Sequence, residues 1–210
     1  MSDALMKAKI SEKTGNVVMC KMRMMYANLI TPGFPSKNER RPEKKQWQVT
    51  GLIPVGSDVK VLEEEIERVI KDNLTPAQRA KTKIESPIKE TAKNATLAAL
   101  AEEYPYFIRT SAKCFDRSGK PRPRPDVVDN KGNTVPEIEE ADQLYNGRWF
   151  RPSLQPYWYD NENQGVSLGL ANVQLLAHAE PLAGGKASAS ADFEPVEDED
   201  LAELEDSAFE

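Results

Sequence analysis

The sequence predicts a mainly β fold with helices inserted in its middle, a small five-stranded barrel followed by an acidic tail. Three observations carry this. Strand-like patterns recur near both ends of the chain, around 16–30, 46–54, 106–115, 147–161 and 166–178. Helical spacing fills the stretch between 57 and 104. Residues 188–210 hold ten Asp or Glu and no Lys or Arg.

Taken in order, "NVVMCKMRMMYANLI" (16–30) reads as one long strand. Val18, Cys20, Met22, Met24 and Tyr26 share a dry face, and Lys21 and Arg23 sit on the other. The Pro-rich, basic stretch 31–45 is an exposed loop, and 46–54 returns as a strand. Ser57 or Asp58 can cap a helix whose Leu62, Ile66, Val69 and Ile70 recur at helical spacing. Glu64 with Arg68 and Glu67 with Lys71 are i,i+4 pairs on its wet side. Thr75-Pro76 starts a short second helix, and 89–104 reads as a third. "YFIRTSAKCF" (106–115) is a strand with Ile108 and Ala112 on one face and Phe107, Arg109, Ser111, Lys113 and Phe115 on the other. A basic, Pro-rich loop follows, with a short strand near Val127 and Val128, a turn at "KGN" and a helical turn before Gly147. The final strand spans 166–178, where Gly165 and Gly169 signal close backbone approach or bulges. Five strands with a helical insertion fit a barrel of the oligonucleotide-binding (OB) type, among other α+β folds.

Between these last elements lies "GRWFRPSLQPYWYDN" (147–161), with five aromatic rings, two arginines and two prolines. Split by parity, Arg148, Phe150, Pro152, Leu154, Pro156 and Trp158 form a mostly apolar set that can pack in a core. Trp149, Arg151, Ser153, Gln155, Tyr157 and Tyr159 form the other face. Large rings and a guanidinium left on a sheet face mark a contact surface. Single-stranded nucleic acid matches it, since bases stack on rings and Arg or Lys meets phosphate. Lys21, Arg23, Arg109, Lys113, Arg117, Lys120, Arg122 and Arg124 supply positive charge. A helix or the N-terminal arm covering this face, making it a second core, is the competing reading. Pro152 and Pro156 lack N–H groups on the same side, which predicts a sheet edge or an interruption there.

The formal charge of −6 is unevenly spread, for residues 1–187 carry 28 basic and 24 acidic side chains, a net of +4. A basic body with an acidic tail points to a polyanionic partner; a solubilising tail on a soluble body is the plainer alternative. Cys20 and Cys114 lack CxxC spacing, and with the single His178 they make a poor zinc set, so reduced thiols and no metal or other cofactor are expected. The N-terminal residues lack the apolar run of a signal peptide, and no apolar stretch has the length to span a bilayer. An intracellular, soluble protein with no membrane partner is expected.

"YFIRTSAK", "RPDVVDNKGN", "LYNGRWFRPSLQPYWYDNENQGVSLGLANVQ" and "EPLAGG" together resemble a bacteriophage family of single-stranded-DNA-binding proteins, long known only as a domain of unknown function. The positions that carry the pattern are Gly147, Trp149, Arg151, Tyr157, Tyr159, Asn161, Gly165, Gly169, Leu170, Asn172, Val173, Gln174, Gly184 and Gly185. The match is specific over about 104–185 and looser before it. The resemblance implies an OB-type domain at 1–185, binding single-stranded DNA without strong sequence preference, and a disordered linker and acidic tail at 186–210. It implies a non-enzymatic role in phage replication, recombination or repair, in the cytoplasm of the infected host. Trp149, Arg151, Tyr157, Tyr159, Phe107, Arg109, Lys113, Lys21, Arg23, Arg122 and Arg124 are then the DNA-binding candidates. In the similar replication proteins of other tailed phages an acidic tail meets replication partners and competes with DNA. Asp198, Glu199, Asp200, Glu205, Asp206 and Phe209 would serve here, with Phe209 next to last rather than last. A homo-oligomer is compatible with all of this.

Three other classes stay open on the residues alone. A metal-dependent nuclease would need gathered carboxylates, for which Asp126, Asp129, Glu139, Glu140 and Asp142 are the candidates. A protein-interaction module would use the aromatic face without DNA. RNA binding is chemically close, because stacking does not distinguish the sugars.

Overall fold

The computed structural model describes residues 3–160 and 163–182. Ten strands form one sheet: β1 (Lys9–Ile10), β2 (Val17–Val18), β3 (Met22–Gly33), β4 (Gln46–Ile53), β5 (Ile84–Glu85), β6 (Ile88–Glu90), β7 (Tyr106–Lys113), β8 (Asp126–Val128), β9 (Trp149–Asp160) and β10 (Gln164–Leu175). Five of them close a ring in the order β9-β3-β4-β7-β10-β9. Among the described residues three α-helices accompany the sheet: α1 (Lys60–Asn73), α2 (Pro76–Arg79) and α3 (Glu137–Gln143).

The ring closes because each long strand has a face that must leave water. Met22, Met24, Val49, Ile108, Phe150, Leu154, Val166 and Leu168 point into one core. Leu62, Ile66, Val69 and Ile70 of α1 join it, and α1 packs against β9 and β10. Each fully buried side chain of this size contributes about 1.5–3 kcal/mol. Along β9 the expected parity holds in its buried part: Phe150, Pro152 and Leu154 are buried, while Trp149, Arg151 and Ser153 are half-buried. Arg148, assigned to the same dry face, is indeed buried. Its guanidinium donates to the Leu176 carbonyl at 3.0 Å and meets His178 Nδ1.

The prolines sit where their missing donors cost least. Residues 155–160 of β9 pair with β10 alone among the described residues, and Pro156 lies there. Pro152 falls between the short ladders to β2 and β3, with its carbonyl accepting from Met19 N at 3.0 Å.

Several expectations are corrected. The single strand 16–30 is two strands, and alternation fails in β3 because both of its faces are covered at Met22–Met25. A bulge then separates Met25, opposite Thr50, from Asn28, opposite Gln48. Tyr26 leaves the dry face and is exposed. No α-helix forms at 89–104. Lys89 and Glu90 pair with β7, Thr91 N donates to the Pro105 carbonyl, and Asn94 Oδ1 caps a turn at Thr96 N, leaving two short 3-10 turns. The N-cap of α1 is Val59, and Asp58 instead accepts from Lys60 N at 3.1 Å. Arg68 pairs with Glu65 and Asp72 rather than Glu64, and Glu67 pairs with Arg79 rather than Lys71. The short helix expected at Thr75-Pro76 forms, and Thr75 caps it in a full capping box with Gln78. No described helix is long and apolar enough to cross a membrane. The acidic-tail candidates Asp198, Glu199, Asp200, Glu205, Asp206 and Phe209 lie outside the described residues, as do Asn161, Gly184 and Gly185.

Candidate nucleic-acid interface

The outer face of the ring follows from the registers. Gln155 of β9 faces Gly169 of β10, which faces Ser111 of β7, then Gln48 of β4, then Asn28 of β3. Beside this line lie Tyr157 and Tyr159, Arg109 and Lys113, and Gln46 and Thr50. The residues here are rings, hydroxyls, amides and cations.

One end of this outer face is covered. The segment 91–104 and Leu182 lie over it, burying Met25, Leu52, Leu97, Tyr104 and Phe107, with Trp149 half-buried at the margin. Part of this face is thus a second core, but 3-10 turns and Leu182 cover it rather than a helix or the N-terminal arm. Lys21 Nζ and Arg23 Cζ stand 4.8 and 5.0 Å from the Trp149 ring centroid, a cation–π arrangement. Arg23 is itself buried and donates to the carbonyls of Gly147 and Glu180, each at 2.5 Å. Gly147 makes this crossing feasible. Its φ is +101°, and a Cβ there would stand 2.5 Å from Leu182 N. Residues 176–182 therefore strap the start of β9, and Arg23 fastens the strap.

The other end is open. Tyr157 is 43% exposed, and its ring lies at 3.6 Å from where a Gly169 Cβ would stand. Tyr159 sits likewise over Gly165, its hydroxyl 2.8 Å from an added Cβ. The two glycines let the rings lie close on β10, so the close approach read from the sequence is real. Tyr159 and Arg109 line a groove of about 690 Å³ together with Tyr106 and Lys89. Tyr157, Lys113, Arg122 and Gln46 line another of about 700 Å³. Arg109, Lys113 and Arg122 make no ion pair among the described residues, whereas Lys89 is paired with Glu85 at 2.7 Å. Tyr106 and Gln46 were not singled out from sequence. Tyr106 falls on the core parity of β7, and only its place at the strand's first residue leaves it exposed.

Two further candidates stand apart. Arg151 lies in a separate groove of about 550 Å³ with Lys9 and Lys13, donating to Gln174 Oε1 at 2.7 Å. Burial pulls its guanidinium below the ordinary value. Arg124 is engaged in a bidentate pair with the buried Glu140, both bonds 2.8 Å, which raises its pKa. The carboxylates weighed for metal chemistry are dispersed accordingly: Glu140 is held by Arg124, and Asp129 accepts from Asn133 and Lys131 in a turn. No group of three His, Cys, Asp or Glu gathers to hold a metal ion among the described residues.

The chain and its fold are similar to known proteins. Residues 15–204 match the family model described as "Enterobacter phage Enc34, ssDNA-binding protein". The fold is similar to the single-stranded DNA-binding protein from bacteriophage Enc34 in complex with ssDNA, at 19% identity and a TM-score of 0.65, covering 84% of this chain and 93% of that one. It is also similar to gp2.5, a single-stranded DNA binding protein encoded by bacteriophage T7, at 17% identity and a TM-score of 0.54, covering 83% and 92%. No curated protein sequence matches the chain. With nearly its whole length matched by the family model, the chain belongs to the Enc34-type family of phage single-stranded-DNA-binding proteins.

Proposed function

We propose that the chain is a non-enzymatic, sequence-nonspecific single-stranded-DNA-binding protein of phage DNA replication and recombination, and that DNA lies across the open outer face of an OB-type barrel. The observation that carries the assignment is the pair of tyrosine rings over Gly169 and Gly165, flanked by Arg109, Lys113 and Arg122, which make no ion pair among the described residues. In OB folds the face of the second and third ring strands, with the neighbouring loops, binds oligonucleotides. Those strands are β4 and β7 here. Stacking supplies base-independent affinity, and the cations neutralise phosphate.

Arg151, Lys9 and Lys13 extend the positive surface along β9, so Arg151 acts as a phosphate contact. Trp149, Phe107, Arg23 and Arg124 support the fold of the site rather than touch DNA. Lys21 reinforces the Trp149 margin. The domain ends near Gly185, and the acidic residues beyond it screen the groove and recruit replication or recombination proteins in the host cytoplasm. A tethered polyanion competes at high effective concentration.

The test is a titration of fluorescent oligo-dT against the full chain and a version ending at Gly185, at low and moderate salt. Duplex DNA and oligo-U of equal length serve as controls. Preference for the single strand, tighter binding after truncation and weakening with salt are the expected results. Absence of binding by both versions would make the aromatic face a protein contact, and preference for oligo-U would make the ligand RNA.

A further inference from the structure

Tyr26 is the one non-glycine residue with a positive φ (51°) among those described. A bulky side chain in the left-handed region is a conformational outlier, and such outliers persist where surrounding structure imposes them. Here the imposing contact is visible: Asn146 Oδ1 accepts from Tyr26 N at 2.8 Å. The bulge inserts one extra residue in β3 between the Met25–Thr50 and Asn28–Gln48 pairs. Unbroken alternation would send Tyr26 inward with Met22 and Met24. The bulge instead leaves its ring 40% exposed.

The location gives that exposure a meaning. The line Gln155, Gly169, Ser111, Gln48, Asn28 crosses five strands of the open face. Tyr157 lies over its second position, Gly169, and Tyr26 stands beside its end at Asn28. Three inter-strand steps separate Gly169 from Asn28, about 14 Å along the sheet. The ground between is polar, and Arg109 and Lys113 border it. A strand stacked on Tyr157 and running across β7 and β4 therefore arrives at Tyr26.

We propose that Tyr26 is a second-margin stacking platform for a base of the bound single strand, and that the left-handed bulge held by Asn146 presents its ring to the DNA. The proposal rests on the DNA-binding reading above. Its test compares Tyr26→Gly, Tyr26→Asn and Tyr26→Phe with Tyr157→Ala in the oligo-dT titration, with thermal unfolding and light scattering of each. Gly and Asn both accept the left-handed backbone, so these variants keep the fold. The expected result is that both weaken oligo-dT binding by about 5- to 150-fold, the worth of one stacked base, while Phe stays within about twofold. Unchanged affinity in both, with Tyr157→Ala impaired, overturns the proposal and leaves the DNA-binding face intact. Unchanged affinity with a smaller oligomer overturns it in favour of a contact between copies of the chain, which the exposed Ile30 on the same arm would share. Failure of the wild type to bind oligo-dT removes both readings.

Discussion

At the scale of single residues, the cations that looked alike in the sequence have different roles. Arg23 and Arg124 are consumed by carbonyls and by Glu140, while Arg109, Lys113 and Arg122 keep their charge available. The rings divide in the same way. Trp149→Ala opens part of the second core, so it should lower unfolding free energy by roughly 2–3 kcal/mol, somewhat below the cost of removing a fully buried Trp. Urea denaturation measures this. Asp129 offers a pH prediction. Donation from Asn133, through side chain and backbone, holds its carboxyl below the ordinary aspartate value. Its contribution to folding is therefore complete above the unfolded value and is lost as pH falls through the depressed folded one. An NMR titration should find the Asp129 midpoint raised in Asn133→Ala. An unmoved midpoint would show that the Asn133 side chain does not set it. The division among the cations was not legible in sequence, because it depends on partners distant in the chain: Arg23 on Glu180, Arg124 on Glu140.

At the scale of elements, legibility tracked how local the deciding contacts are. The parity of β9 was readable because Phe150 and Leu154 must leave water whatever their neighbours. The start of α2 at Thr75-Pro76 was readable because the residues that set it are adjacent in the chain. The segment 89–104 was misread because its Ala, Glu and Lys content favours a helix, whereas the pairing of Lys89 with Phe107 and of Glu90 with Tyr106 draws it onto the sheet. The bulge at Tyr26 left no sequence signal, since no glycine marks it. For the same non-local reason α3 is tied to β3 through Arg124, which also donates to the Leu29 carbonyl at 3.3 Å. Glu140→Gln leaves that guanidinium without its buried counter-charge and should cost about 3 kcal/mol of stability. Thermal and urea unfolding would register it, and an effect below about 0.5 kcal/mol would show the pair to be dispensable.

At the scale of the whole molecule, a chain with formal charge −6 presents a cationic face because its acids are concentrated at one end. The log–log salt dependence of oligo-dT binding should then have a slope of about −0.7 per phosphate neutralised. Removing Arg109, Lys113 or Arg122 should each reduce that slope by about one phosphate's share, while removing Arg124 should not. The central claim is that DNA reads the open end of the outer face and not the covered one. The most direct measurement is the oligo-dT affinity, at fixed salt, of Tyr157→Ala/Tyr159→Ala beside Trp149→Ala, with the unfolding temperature of each. The account predicts that the tyrosine pair loses affinity, by about 1–3 kcal/mol for each base unstacked, with little change in unfolding temperature, and that Trp149→Ala does the reverse. Full affinity in the tyrosine double variant, with loss in a stably folded Trp149→Ala, would contradict it and move the DNA to the strapped end of the barrel.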